Sequence, residues 1–174
     1  MITEFPLLQT ERLKLRQFRF GDSDIVQELA GRKEISEGTF IPYSYKNGMV
    51  RNWIKKSVFV LYEGFLFNFA IILASENRLI GSMGLTLENY GVSAQLGCRI
   101  GVPYRGNCFC TEAGHELLRF GFEDLGLESI YASHFSDNKA SGRVLRKLGM
   151  SCARKNRLFR AYVSAKRRRV LLFA

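Results

Sequence analysis

None of the four cysteines, Cys98, Cys108, Cys110 and Cys152, belongs to a C-x-x-C pair, so the spacing encodes no disulfide framework. Cys108-Phe109-Cys110 is the nearest approach to a metal motif, but the chain has only two histidines, neither at ligand spacing from it, which argues against a metal centre. No export signal is expected either: Met1 to Gln9 has no basic segment and carries an acid at Glu4. The simplest expectation is four reduced thiols in a cytoplasmic protein. The most apolar run, Val58 to Ala74, is interrupted by Glu63, Gly64 and Asn68; it reads as the end of one element followed by a buried strand, and no membrane partner is expected. Neither G-x-G-x-x-G nor the Walker lysine loop occurs, which argues against a dinucleotide or nucleoside triphosphate site. Acidic residues are absent from residues 151–174, which carry 8 basic side chains, whereas residues 1–150 carry 18 basic and 16 acidic ones. Most of the net charge of +10 therefore belongs to the C-terminal segment. Such a segment can attract a nucleotide, RNA or an acidic protein surface, or it can be a solvated hairpin.

What is present fits a globular chain. With 174 residues, 47% of them hydrophobic and 13% aromatic, residues 1–174 form one domain large enough to bury a core. Thr10 to Phe18 alternates Leu13 and Leu15 with charged neighbours, a strand with one buried face. Gly21-Asp22-Ser23-Asp24 supplies turn and N-cap chemistry for a short helix through Ile25, Val26 and Leu29. Gly31 to Asn47 lacks a sustained period and reads as a loop, whose aromatics Phe40, Tyr43 and Tyr45 either line a pocket or cap the core. Met49 to Lys56 is expected to be helical. Strands are expected at Phe65 to Ala74, Leu79 to Leu87 and Ala94 to Ile100, an antiparallel meander. A strand at Ser129 to Phe135, a helix at Asn138 to Leu148 closed by Gly149, and a terminal strand pair at Met150 to Arg160 and Arg168 to Phe173 complete the chain. The fold class is α/β, with a mixed, largely antiparallel sheet of about seven strands flanked by about four helices.

The stretch Leu96 to Leu125 carries the chemistry. A strand runs into Gly101 to Arg105, a tight Arg105-Gly106-Asn107-Cys108 corner, and a helix. Glu112, Glu116, Arg119 and Glu123 recur at four-, three- and four-residue steps, which places them on one face, with Ala113, Leu117 and Phe120 on the other. The first-turn N–H groups of a helix have no intrahelical acceptors, and the helix dipole adds positive potential there. Residues 105–111 are therefore a candidate site for a phosphate-bearing cofactor.

Together these elements resemble the GCN5-related N-acetyltransferases (GNAT), in particular the Rim-type branch that acetylates ribosomal-protein N-termini. The resemblance spans nearly the whole chain. It rests on Thr10-Glu11-Arg12-Leu13, Ile80-Gly81, Leu96-Gly97, Tyr104-Arg105-Gly106 through Thr111-Glu112-Ala113, Asn138-Lys139-Ala140-Ser141, and Val144 through Met150. It implies acetyl-CoA as co-substrate, no metal, and transfer of the acetyl group to a primary amine by direct attack in a ternary complex. The implied cofactor-binding residues are Ile100, Val102, Arg105, Gly106, Asn107, Cys108, Cys110, Thr111 and Asn138. It also implies a splay between the strands Ala94 to Ile100 and Ser129 to Phe135, along which pantetheine pairs with the open edge. Ser141 is the implied acid for the departing thiolate. Thioester aminolysis needs a neutral amine, a donor for the carbonyl and a proton for sulfur, without a covalent enzyme intermediate.

The chain departs from the family pattern at identifiable places. Cys108 stands where the loop usually has its middle glycine, Cys110 where it has a small residue, and Gln95 where Rim-type relatives commonly have a glutamate. A glutamine cannot take a proton from the amine, which makes Glu88 the candidate base unless the amine arrives neutral. Asn138 also suits a helix N-cap, a role that competes with cofactor contact. Arg167 and Arg169 occupy positions where relatives tend to carry tryptophan and aspartate. The acceptor is thus a protein N-terminus or a small amine, with ribosome or other polyanion contact through the basic C-terminus and a homodimer both compatible with the resemblance. The alternatives are a catalytically impaired CoA-binding or ribosome-associated module of the same fold, and an RNA-binding protein resting only on the basic tail.

Overall fold

The alternating apolar residues of the first predicted strand pack as the pattern requires: Leu13 and Leu15 are fully buried on one face of a mixed sheet. The computed structural model describes residues 4–38, 47–59, 66–159 and 168–173. Its elements are β1 (Leu8–Gln9), β2 (Leu13–Gln17), α1 (Ser23–Ala30), α2 (Lys33–Gly38), α3 (Asn47–Phe59), β3 (Leu66–Leu73), β4 (Arg78–Glu88), β5 (Ser93–Ile100), α4 (Phe109–Arg119), β6 (Ser129–Phe135), α5 (Lys139–Lys147), β7 (Cys152–Phe159) and β8 (Arg168–Phe173). The strands form one sheet in the order β1-β2-β3-β4-β5-β6-β8-β7. Every neighbouring pair is antiparallel except β5 with β6.

The eight strands and five α-helices each exceed the expected number by one. The added strand is β1, whose two residues become extended only by pairing with Lys14 and Leu15 of β2. The added helix is α2, inside the stretch expected to be loop; it is short, but its Ile35 is buried to 1% exposure, which anchors it. Asp22, from the stretch expected to supply N-cap chemistry, occupies the N-cap position of α1 but makes no side-chain cap bond there. Its carboxylate instead accepts from the Arg19 N–H (2.8 Å) and from both terminal nitrogens of Arg16 (2.8 Å each). Burial would raise the Asp22 pKa, but these donors outweigh it and hold the group below the ordinary carboxylate value.

Two apolar layers cover the sheet. On one face, Phe67, Phe69, Met83, Leu85, Ala94, Leu96, Ile130 and Ala132 meet Phe109, Ala113, Leu117 and Phe120 of the α4 region and Leu145 and Leu148 of the α5 region. Phe120 stands edge-on to Phe67 and Phe69, with centroids 5.4 and 5.8 Å apart. On the other face, Ala70, Ile72 and Leu79 pack against Val26 and Leu29 of α1 and Val50 and Ile54 of α3. Among the described residues no helix is long and apolar enough to cross a membrane. The aromatics Phe40, Tyr43 and Tyr45 lie outside the described residues, as do Arg167 and the side chains of Arg168 and Arg169.

Candidate functional site

The predicted splay is present. β5 and β6 run in parallel register only from Ser93↔Ser129 to Leu96↔Ala132. Beyond that point β6 pairs on its other side with β8, while Gly97 to Ile100 of β5 continue to pair with β4 alone. Gly97, the first residue past the junction, has open space where a side chain would start, with nothing within 4 Å of an added Cβ. The strand edge at residues 97–100 is thus unpaired by β6 and uncrowded at its beginning, as a groove for an extended ligand requires.

At the end of β5 the chain turns through a 3₁₀ segment, Val102–Tyr104, before entering α4. Gly106 takes φ +86°, a left-handed conformation open to glycine. Cys108 is also left-handed, with φ 62° and ψ 5°, and occupies the N-cap position of α4 without a side-chain cap. A non-glycine residue in this conformation costs about 1–2 kcal/mol. The Cys108 carbonyl accepts from Thr111 and Glu112, both at 3.0 Å. The N–H groups of Cys108, Phe109 and Cys110 have no hydrogen-bond partner among the described residues. Arg105, Gly106, Asn107 and Cys108 are exposed and Thr111 is half-buried. The Asn107 amide nitrogen donates to the carbonyls of Tyr104 and Arg105, both at 3.3 Å, which holds the corner closed on itself. Donors without partners, a glycine in the corner and the N-terminal end of an eleven-residue helix are the features an anionic diphosphate needs.

What fixes this helix start lies far away in sequence. Glu112, in the first turn of α4, accepts from the Thr10 hydroxyl (2.6 Å), the Arg12 N–H (2.9 Å) and Arg12 Nε (2.7 Å). Arg12 Nη2 donates to the Asn107 carbonyl at 3.2 Å, and its guanidinium lies 4.7 Å from the Phe109 ring centre. Burial works to raise the Glu112 pKa, but hydrogen bonds from Thr10 and Arg12 outweigh it and lower the group below its ordinary range. The Thr10-Glu11-Arg12-Leu13 and Thr111-Glu112-Ala113 motifs are therefore two halves of one contact. Further along the helix, Arg119 gathers Glu116, Glu123 and Asp124 on the polar face. The predicted helix changes to a π-helical turn over Phe120–Asp124.

The cysteines correct the expectation of separate thiols. β5 side chains on the α4 side of the sheet point at the first turn of that helix, so Cys98 and Cys110 are paired sulfur to sulfur, with Cα atoms 7.0 Å apart. Cys108 is a free, exposed thiol 3.9 Å from Lys147 Nζ.

Asn138 is the N-cap of α5, its Oδ1 accepting from the Ser141 N–H at 3.1 Å. Ser141 lies half-buried in the first turn of that helix, directly after β6. Gln95 sits on β5 between Thr86 of β4 and Tyr131 of β6, and its Nε2 donates to Ser133 Oγ at 3.4 Å. Glu88 is exposed at the end of β4. Burial and the nearby Glu88 carboxylate push the Tyr131 pKa up to about 12. Tyr131 went unread in the sequence because only the parallel register of β5 with β6 sets it opposite Gln95.

Comparison with other proteins agrees with this geometry. Residues 12–151 match the acetyltransferase (GNAT) domain family. A Bacillus licheniformis protein described as an uncharacterized N-acetyltransferase, p20, is 28% identical over 162 residues, covering 92% of this chain and 89% of that protein. A Salmonella typhimurium acetyltransferase described as modifying the N-terminal serine of ribosomal protein L7/L12 superposes with a TM-score of 0.86 at 13% identity, over 97% of each chain. Spermidine N-acetyltransferase from Vibrio cholerae, solved with CoA and spermine, superposes with a TM-score of 0.81 at 18% identity, over 94% of this chain and 95% of that one. With the matched region running from Arg12 through the splay, the loop and the last helix, this chain belongs to the GNAT family of acetyltransferases.

Proposed function

We propose that the protein transfers the acetyl group of acetyl-CoA to a primary amine held at the splay of β5 and β6. The observation that carries this reading is the coincidence of a β5 edge left unpaired by β6 with a helix start whose first three N–H groups have no partner among the described residues. The co-substrate supplies an acetyl thioester already activated toward amines. The chain's own part is to hold it and to manage two protons. The N–H groups of Cys108, Phe109 and Cys110, with the corner Arg105, Gly106 and Asn107 and the hydroxyl of Thr111, bind the diphosphate. Ile100 and Val102 line the path of the pantetheine arm, and Asn138, whose side-chain oxygen caps α5, contacts the same ligand. Glu88 receives the proton from the ammonium form of the acceptor, and Ser141 hands one to the leaving sulfur.

The acceptor is a protein N-terminus of the ribosomal-protein kind or a small amine. Among the solved structures that resemble this chain, one is described as modifying a ribosomal-protein N-terminal serine and another as a spermidine N-acetyltransferase. Titration calorimetry with CoA, followed by free-thiol release from acetyl-CoA in the presence of Ser- and Ala-started peptides and of spermidine, tests the reading. Binding with turnover on one acceptor class supports it and names the class. Binding without turnover on any favours the second reading, a CoA-binding module. That reading draws on the strained Cys108 in the loop and on Gln95, whose amide is engaged with Ser133.

A further inference from the structure

The Cys98–Cys110 disulfide joins the two elements between which the ligand groove lies. Cys98 belongs to the stretch Gly97 to Ile100, the part of β5 left unpaired by β6, and Cys110 belongs to the first turn of α4. Alternation along β5 sets Cys98 on the same face as Leu96 and Ile100, which pack in the layer that includes α4. The bond thus runs from the open strand edge to the helix start. It is not sealed in the core: Cys98 is exposed and Cys110 half-buried. A third sulfur, the free thiol of Cys108, is also exposed, two positions before Cys110 in the chain. A disulfide within reach of thiols can exchange with them, because the reaction needs only the approach of a thiolate to one of its sulfurs.

The proposed reaction generates such a thiol in this groove. With the diphosphate at the start of α4, the pantetheine arm follows the β5 edge from Ile100 back to Gly97, which brings its sulfur beside Cys98 at the splay. Acetyl-CoA carries that sulfur as a thioester, which does not exchange with a disulfide; every transfer to an amine leaves it as a thiol. We infer that Cys98 is a covalent attachment site for free CoA: its Sγ takes the CoA sulfur to form a mixed disulfide and releases the sulfur of Cys110. The inference rests on the acetyltransferase reading. The step balances without an outside oxidant. One S–S bond forms as another breaks, the proton of the CoA thiol goes to solvent, and Cys110 departs as a thiolate that takes a proton from water. Return attack by Cys110 on the mixed disulfide sets CoA free again. While the adduct lasts, the tethered arm keeps acetyl-CoA out of the groove. Free and acetylated CoA differ only at the sulfur, and this bond distinguishes them at that atom. Accumulating product therefore arrests the protein.

The test incubates the oxidised full-length protein with free CoA in oxygen-free buffer and reads intact mass, followed by peptide mapping with alkylation of new thiols. The expected product is one CoA per chain on Cys98, one newly alkylated thiol at Cys110, and complete reversal by dithiothreitol. The acetylation rate on any accepted amine should fall in step with the fraction of adduct. Glutathione, with CoA and glutathione each at roughly 10 μM, should react about 100-fold more slowly, because a bound arm meets the bond at a millimolar-scale effective concentration. Acetyl-CoA should give no adduct. Neither should protein reduced beforehand and freed of reductant, nor Cys110→Ser, which keeps the Cys98 thiol but has no bond to exchange. The reduced wild type makes the same comparison should the variant fail to fold. An adduct on any other cysteine, equal adduct in the reduced protein, or glutathione as fast as CoA would overturn the inference. Calorimetry with desulfo-CoA, which lacks the sulfur, separates the two claims. Binding of desulfo-CoA with no adduct from CoA removes only the role of Cys98, whereas failure to bind it overturns the functional reading together with this inference.

Discussion

Helices α4 and α5 begin in opposite ways. α5 is closed by its own N-cap, Asn138, whose side-chain oxygen takes the Ser141 N–H at 3.1 Å. α4 begins on a left-handed Cys108 with no side-chain cap, and its first three N–H groups have no partner among the described residues. Its start is instead fastened from outside, through Glu112 to Thr10 and Arg12 of the β2 entrance. A helix that must present its N–H groups to a ligand cannot also consume them in a cap. The stability a cap would supply has to come from another part of the fold.

The comparison can be broken most severely at the external tie. Glu112→Ala leaves Thr10 and Arg12 without their acceptor and should destabilise the protein by about 2 kcal/mol in urea denaturation. The Arg12 share is discounted, because that side chain is 44% exposed. The same carboxyl shapes the acid limb. Its folded pKa lies below the ordinary 4.5, so its stabilisation is complete above that value and is lost as pH falls through the folded pKa. Glu112→Gln should therefore flatten the loss of stability below about pH 4.5, measured by urea midpoints across pH.

Next in size is the cap itself. Asn138→Ala should cost about 1 kcal/mol in urea denaturation, the usual scale for an N-cap. Cys108→Gly, at the uncapped start, should act in the opposite sense, adding about 1 kcal/mol of stability by relieving the left-handed strain and tightening CoA binding in calorimetry. If it weakens CoA binding, the thiol takes part in the site. The smallest effect is expected from charge reversal at Arg167, Arg168 and Arg169, which should leave CoA affinity unaltered while reducing the salt dependence of any ribosome association in sedimentation.

Local physics made much of this legible from the chain alone. The period of two at Leu13 and Leu15, the polar stripe from Glu112 to Glu123, the cap at Asn138 and the left-handed Gly149 (φ 82°) each need only near neighbours to be read. What stayed hidden depends on register or on distance in sequence. Glu112 meets Thr10 and Arg12 across about a hundred residues, Cys98 reaches Cys110 only once β5 packs beneath α4, and Tyr131 comes opposite Gln95 only through the parallel register of β5 with β6. α2 was missed because six residues are too few to display a period; burial of Ile35, a tertiary contact, makes that turn helical. The loop between Ile100 and Phe109 was recognisable as an anion corner, but its left-handed Cys108 needed coordinates.

The four-residue parallel pairing of β5 with β6 also determines how the sheet comes apart. Strands β3, β4 and β5 follow one another through short connections, the arrangement that forms quickly and with little entropy lost to loops. β6 reaches β5 only after the crossover through α4 and is attached there by Ser93↔Ser129 to Leu96↔Ala132. That junction is a seam, the place where the two parts of the sheet can separate without global unfolding. A ligand lying across it makes each opening more costly by its own binding free energy. Slowed amide exchange in β6 on adding CoA would thus report cofactor loading even before any acceptor is known.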